Sequence, residues 1–304
     1  MVQEFIIFIV GLVLLIKGSD EFVEAGSRVA KGFGVSEFLI ALILASIATT
    51  LPEVTVSAIA AFEGNSGIAL GNAVGSALAN IALILGISAM IMPLKVDEIA
   101  WRNSLFMLLV TFYAWFLMRD MIISRFEGFT LILIYLGFLY YLYRKHIAIE
   151  SIEGGRSRNV KKDVVILFLS GAVVVVGARM VVTSAVTIAR ALGIPEVVIG
   201  LTLVSIGTSL PELANSLAAT LKKIPNISVG NIVGANILDI LMVIGIASMI
   251  RPITVDTSIF SFTMPLTLLV MGILTLSLRM TNKISRTTSA ILLAIYAYFL
   301  YSQF

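Results

Sequence analysis

Apolar residues run through this chain in ten long stretches, at approximately 4–30, 37–61, 68–92, 102–118, 126–144, 163–191, 196–220, 227–250, 258–279 and 286–303. A helix of about this length crosses roughly 30 Å of hydrocarbon with some tilt. The pattern predicts an all-α membrane protein with ten transmembrane helices. Only one polar stretch has any length, 145–162, where Glu150, Glu153, Gly154, Gly155, Arg156 and Arg158 gather. It reads as a linker, which divides the chain into a first five-helix repeat over 1–147, a linker over 148–162 and a second five-helix repeat over 163–304. His146 lies in the polar stretch 145–162 and reads as a solvated surface residue of the linker. The opening Met-Val-Gln-Glu-Phe-Ile-Ile has neither the basic flank nor the small-residue cleavage pattern of a secretory signal, so the first stretch reads as a membrane helix.

Adding 159 to a residue number in the first half lands on its counterpart in the second. Gly18 meets Gly177, and Ser46-Ile47 meets Ser205-Ile206. Thr49, Leu51, Pro52 and Glu53 meet Thr208, Leu210, Pro211 and Glu212, while Gly71-Asn72 and Gly75 meet Gly230-Asn231 and Gly234. An odd number of spans per half makes the second copy enter the membrane from the opposite side, so the fold expected is a pair of inverted-topology repeats. Fifteen Lys and Arg fall in loops or at helix ends on one side, against Arg119, Arg125, Arg190 and Arg251 on the other. The excess marks the cytoplasmic face and leaves both termini extracellular in a multi-pass plasma-membrane protein.

Composition narrows the function. The chain is 59% hydrophobic and 13% charged, about half the charge of a soluble domain. It has no cysteine and one histidine, which removes thiolate and transition-metal sites, and a net charge of +3 implies no nucleic acid. The lipid bilayer is the only surrounding the composition demands; no cofactor and no obligatory protein partner are indicated. An oxygen-built site for hard cations remains.

The residues for such a site lie in the repeat. In Ser46-Ile47-Ala48-Thr49-Thr50-Leu51-Pro52-Glu53 and Ser205-Ile206-Gly207-Thr208-Ser209-Leu210-Pro211-Glu212, proline lacks a backbone donor and crowds the carbonyl one turn back. Interrupted helices with freed carbonyls are expected in both halves. Thr49 and Glu53, like Thr208 and Glu212, are four apart and share a helix face. A carboxylate at mid-membrane costs at least about 2.5 kcal/mol, and no Lys or Arg adjoins either glutamate in sequence, so a cation or proton must compensate. Ser76 and Asn80 supply a second oxygen-bearing face, and Asn80 aligns with Asp239. Carboxylate, hydroxyl, amide and carbonyl oxygens suit calcium and sodium. Lys17, Asp20 and Glu21 in the first stretch, and Arg179 in the sixth, read as ion-paired or snorkelling residues, and Trp101 and Trp115 as interface anchors.

At these motifs the chain resembles the cation/calcium exchanger superfamily, and in particular the compact prokaryotic sodium/calcium exchangers, over nearly all its length. The carriers are Ala48 to Glu53 and Gly207 to Glu212, with Gly71 to Asn80 and Gly230 to Asp239. The resemblance implies a secondary active antiporter, not an enzyme, that exchanges calcium for sodium by alternating access. Glu53 and Glu212 would bind both ions, helped by Thr49 and Thr208. Hydroxyls of Thr50, Ser209 and Ser76 and carbonyls of Ser46 and Ser205 would complete flanking sodium sites, and Asn80 and Asp239 would line the centre. Proton/calcium exchange is the alternative. Relatives that use protons carry a glutamate soon after the Gly-Asn pair, where Val74-Gly75 and Val233-Gly234 stand here. Ala235 departs from the pattern, because a serine there would mirror Ser76. The first and sixth spans, which are long and open each half, are expected to be the sliding gate. An intramembrane protease and a cation channel are weaker readings of the same two acids.

Overall fold

The computed structural model describes residues 2–32, 37–146 and 160–303. Their helices, in chain order, are α1 (Val2–Gly32), α2 (Glu37–Glu63), α3 (Ser66–Ala79), α4 (Gly86–Ile91), α5 (Ile99–Leu117), α6 (Arg125–His146) and α7 (Val160–Leu192). There follow α8 (Glu196–Ile199), α9 (Ser205–Thr208), α10 (Leu210–Leu221), α11 (Pro225–Leu238), α12 (Ile244–Ile250), α13 (Met264–Thr281) and α14 (Arg286–Ser302). Wide π-helical turns at Asn80–Leu85 and Asp239–Val243 join α3 to α4 and α11 to α12, and two more lie at Gly200–Val204 and Ile259–Thr263.

Every apolar stretch of the sequence coincides with helix. Among the described residues six helices are long and apolar enough to span a membrane, and α8 through α9 with α10, bent by 46° at the break, makes a seventh if its two parts are taken as one span. The protein is an all-α membrane protein. Its surface is the reverse of a soluble one: Phe5, Ile9, Phe112, Leu133, Phe168 and Val176 are exposed, while Thr50, Asn72, Asn80, Ser216 and Asp239 are buried.

Two strand pairs tie distant parts together. β1 (Leu94–Lys95) pairs antiparallel with β4 (Lys283–Ile284), and β2 (Ile122–Ile123) with β3 (Ile253–Thr254). Gly64 and Lys223, which occupy the same place 159 residues apart, both take a left-handed conformation, at φ of 87° and 60°, and end α2 and α10 alike.

The most extensive helix contact is between α1 and α7. Gly177 permits it, because a Cβ there would lie 2.6 Å from the Leu15 nitrogen and 2.8 Å from the Gly11 carbonyl oxygen. Arg28 fastens the ends of the same two helices, donating to Asp163 at 2.7 Å.

Three expectations need correction. Helix α2 runs unbroken through Pro52, so only the second of the two Pro-Glu helices is interrupted. The sequence carries a reason: Gly207 stands where the first half has Ala48, and glycine in a helix costs about 1 kcal/mol relative to alanine. Ser209 accordingly leaves the helical region, at φ −83° and ψ 9°. His146 belongs to the last turn of α6 rather than to the linker, and α7 begins at Val160 rather than 163, since Lys161, Lys162 and Asp163 are soluble enough to extend a helix past the lipid. Most of the expected linker lies outside the described residues. Trp115, expected as an interface anchor, also donates its indole N–H to the Phe260 carbonyl at 2.9 Å. Arg179 does pair, with Glu63 at 3.4 Å.

Candidate functional site

Where α2, α3 and α11 meet the α9–α10 break, the fold buries oxygen-bearing side chains with nothing basic among them. Among the described residues no Lys or Arg is buried, while Glu53, Glu212 and Asp239 are each 1% exposed.

Asn72 organises the Glu53 side. Its amide nitrogen donates to the Glu53 backbone carbonyl at 3.2 Å and to Ser57 Oγ at 2.9 Å, and its oxygen accepts from Thr208 Oγ1 at 3.0 Å. Ser209 Oγ, at the helix break, donates to Glu53 Oε1 at 3.1 Å. The break therefore aims a second-half hydroxyl at the first-half acid. Ser76 Oγ approaches the Ser205 carbonyl at 3.4 Å, and Thr208 Oγ1 reaches the same oxygen at 3.3 Å. Gly75 allows this approach, as a Cβ there would lie 2.7 Å from both the Leu201 carbonyl oxygen and Ser205 Oγ.

A second cluster lies between α3 and α11. Asn80 and Asp239 both open a π-helical turn, a feature that recurs at functional sites. Asn80 Nδ2 donates to Asn236 Oδ1 at 2.9 Å and to Asp239 Oδ2 at 3.3 Å, and Asn236 Nδ2 donates to the Ala77 carbonyl at 2.9 Å. No hydrogen bond among the described residues joins this cluster to Glu53 or Glu212.

Of the residues singled out in the sequence, Glu53, Ser209, Thr208, Ser205 and Ser76 thus form one connected group, and Asn80 with Asp239 another. Thr49 and Thr50 are buried on α2 beside Glu53, and Glu212 is buried in the first turn of α10. The Ser46 side chain lies outside the described residues. Asn72, Ser57 and Asn236 escaped the sequence reading. The repetition of Gly-Asn at 71–72 and 230–231 was the signal for Asn72; Asn236 aligns with Ala77 and gave none.

Several buried atoms have no hydrogen-bond partner among the described residues: Glu53 Oε2, both carboxylate oxygens of Glu212, Asp239 Oδ1, Asn80 Oδ1 and Thr49 Oγ1. An unpaired buried acceptor costs about 1 to 3 kcal/mol, and more if charged. These six buried oxygens, four of them on the carboxylates of Glu53, Glu212 and Asp239, have no buried Lys or Arg among the described residues to balance them. No three His, Cys, Asp or Glu residues converge among the described residues, so a bound ion would draw on hydroxyls and amides as much as on acids. That donor set fits a hard cation as transported substrate.

The family model for sodium/calcium exchanger proteins matches residues 4–144 and 162–304. The chain belongs to this family. This exchanger is 33% identical to the sodium/calcium exchanger MaX1 of Methanosarcina acetivorans, over 97% of each chain. It is 36% identical to the membrane protein MJ0091 of Methanocaldococcus jannaschii, over 95% of this chain and 94% of that one. Among solved structures it matches the sodium-calcium exchanger NCX_Mj soaked with sodium and strontium, at 35% identity and a TM-score of 0.69, with 99% of each chain covered. The exchanger's matched segments break at the polar stretch between α6 and α7.

Proposed function

We propose that this exchanger moves calcium across the plasma membrane against sodium, with Glu53 and Glu212 as the central ligands for both ions. The carrying observation is the pair of buried glutamates at equivalent repeat positions, surrounded by hydroxyls, with acceptor oxygens unpartnered and no buried Lys or Arg among the described residues. Two acids need about two positive charges, which one calcium or two or more sodium ions supply. Competition for the same oxygens makes the transport an exchange.

Ten spans arranged as two inverted repeats would give both faces of the membrane equivalent routes to the site. Three features support this arrangement. The strand pairs β1 with β4 and β2 with β3 are reciprocal between the halves. Asn80 touches its own counterpart, Asp239, as residues beside a two-fold axis must. The π-helical turns begin at 80 and 239. In this reading α1 and α7, fastened by Gly177 and by Arg28 with Asp163, slide as one gate over the remaining helices.

The site has unequal flanks. Ser76, Ser205, Thr208 and Ser209 would hold one sodium near Glu53. On the Glu212 flank, Thr49, Thr50 and the Ser46 carbonyl remain, and Ala235 offers no hydroxyl. Asn80 and Asp239 would line the centre. The excess of basic residues on one side supports a cytoplasmic linker with both termini outside.

Uptake of radioactive calcium into sodium-loaded proteoliposomes, diluted into sodium-free buffer, tests the coupling ion. Uptake that follows the sodium gradient and ignores an imposed proton gradient is expected. Uptake driven by protons alone would contradict it, and flux without any counter-ion would contradict exchange.

A further inference from the structure

We propose that Arg179 with Glu63, and Asp20 with Lys222, are alternative ion-pair latches that decide to which face the site opens. The proposal rests on the alternating-access reading above. Arg179 lies on α7 amid exposed apolar residues such as Phe168, Val175 and Val176, and its side chain is 73% exposed. An arginine on a lipid-facing helix is costly unless paired, and its partner is Glu63, the last residue of α2.

The repeat offset of 159 carries Arg179 back to Asp20 and Glu63 forward to Lys222. The same pair therefore recurs with both signs reversed: an acid on α1 and a base at the end of α10. A surface charge kept for solubility has no reason to reverse together with its partner, whereas an electrostatic contact survives that exchange unchanged. Only one of the two pairs is made. Among the described residues Asp20 and Lys222 form no ion pair with each other.

The two ends of the molecule differ to match. Beside Glu63, Ile68 and Asn72 are fully buried, and a Cβ at Gly71 would lie 2.9 Å from the Val197 carbonyl oxygen. Beside Lys222, the counterpart of Ile68 is Ile227, which is 57% exposed. A cavity of about 350 Å³ opens there between Asn215, Lys222, Ile227 and Asn231. The latch that is made lies at the closed end, and the one that is not made lies at the open end. Because α1 and α7 are packed as a unit, the slide that brings Asp20 to Lys222 and closes this cavity draws Arg179 away from Glu63.

The chain contains no cysteine, so a single introduced thiol reports accessibility on a clean background. Ile227→Cys reads the end at Lys222 and Ile68→Cys the end at Glu63, each labelled with a maleimide in permeabilised proteoliposomes. Glu63→Lys should slow labelling at 227 and speed it at 68, each by up to about fivefold, the range expected for an exposed pair. Adding Arg179→Glu should restore both rates. Rates that stay put, that move in the same direction, or that the second substitution fails to restore would overturn the latch. In the parent, saturating calcium or sodium should also shift the two reporters oppositely. If neither reporter responds to ions, the alternating-access reading fails; if both respond to ions but not to Glu63→Lys, only the latch fails.

Discussion

Asn80 donates its side-chain amide to the carboxylate of Asp239, its own counterpart 159 residues later, at 3.3 Å. In the proposed two-fold arrangement, residues related by the repeat meet only beside the common axis, so this contact would mark the middle of the molecule. One half supplies a neutral amide and the other an acid. The hydrogen bond that joins them would become a repulsion if both were acids, which gives the asymmetry a physical reason.

Asn72 holds the Glu53 backbone, Ser57 and Thr208 with a single side chain. Replacing it with alanine strands buried groups at about 1 to 3 kcal/mol each and leaves a void. Asn72→Ala should lower the thermal midpoint by several degrees and weaken sodium-dependent calcium uptake at least tenfold. Unchanged values of both would mean that Asn72 does not support the site.

Gly177 brings α7 against α1, and a Cβ added there would lie 2.6 Å from backbone rather than from a yielding side chain. Gly177→Ala should destabilise the protein by about 1 to 3 kcal/mol, the usual range for overpacking. Denaturation in detergent checks this, and a transport defect without loss of stability would point away from close packing.

Ala235 stands opposite Ser76 in the repeat, where Ser76 reaches the Ser205 carbonyl at 3.4 Å. Ala235→Ser should raise sodium affinity and steepen the sodium dependence of calcium release, while Ser76→Ala should do the reverse. Sodium titrations of calcium efflux from proteoliposomes measure both. Equal Hill coefficients in all three proteins would show that these hydroxyls do not hold sodium.

Much of this was legible in the chain. Apolar length gave the positions of the helices, and a gapless repeat picked out Glu53 and Glu212, because burial and pairing constraints act on the same positions in each half. The break at Ser209 could be anticipated only from Gly207 against Ala48, since both halves carry the proline that suggests interruption. The π-helical turns at Asn80 and Asp239 were not legible, as the extra residue in such a turn is a matter of packing and leaves no periodic mark. Asn236 escaped for a similar reason: its bonds to Asn80 and Ala77 come from the crossing of α3 and α11, and its repeat counterpart is an alanine.

The central claim is that the paired glutamates carry the exchanged ions, and sodium-gradient-driven calcium uptake by Glu53→Gln and Glu212→Gln tests it most directly. Losing one buried charged ligand should reduce uptake on the order of a hundredfold in each variant, given about 3 kcal/mol for breaking a buried charge interaction. Folding, checked by thermal denaturation, should be retained. Uptake near the parental rate in either folded variant would contradict the account.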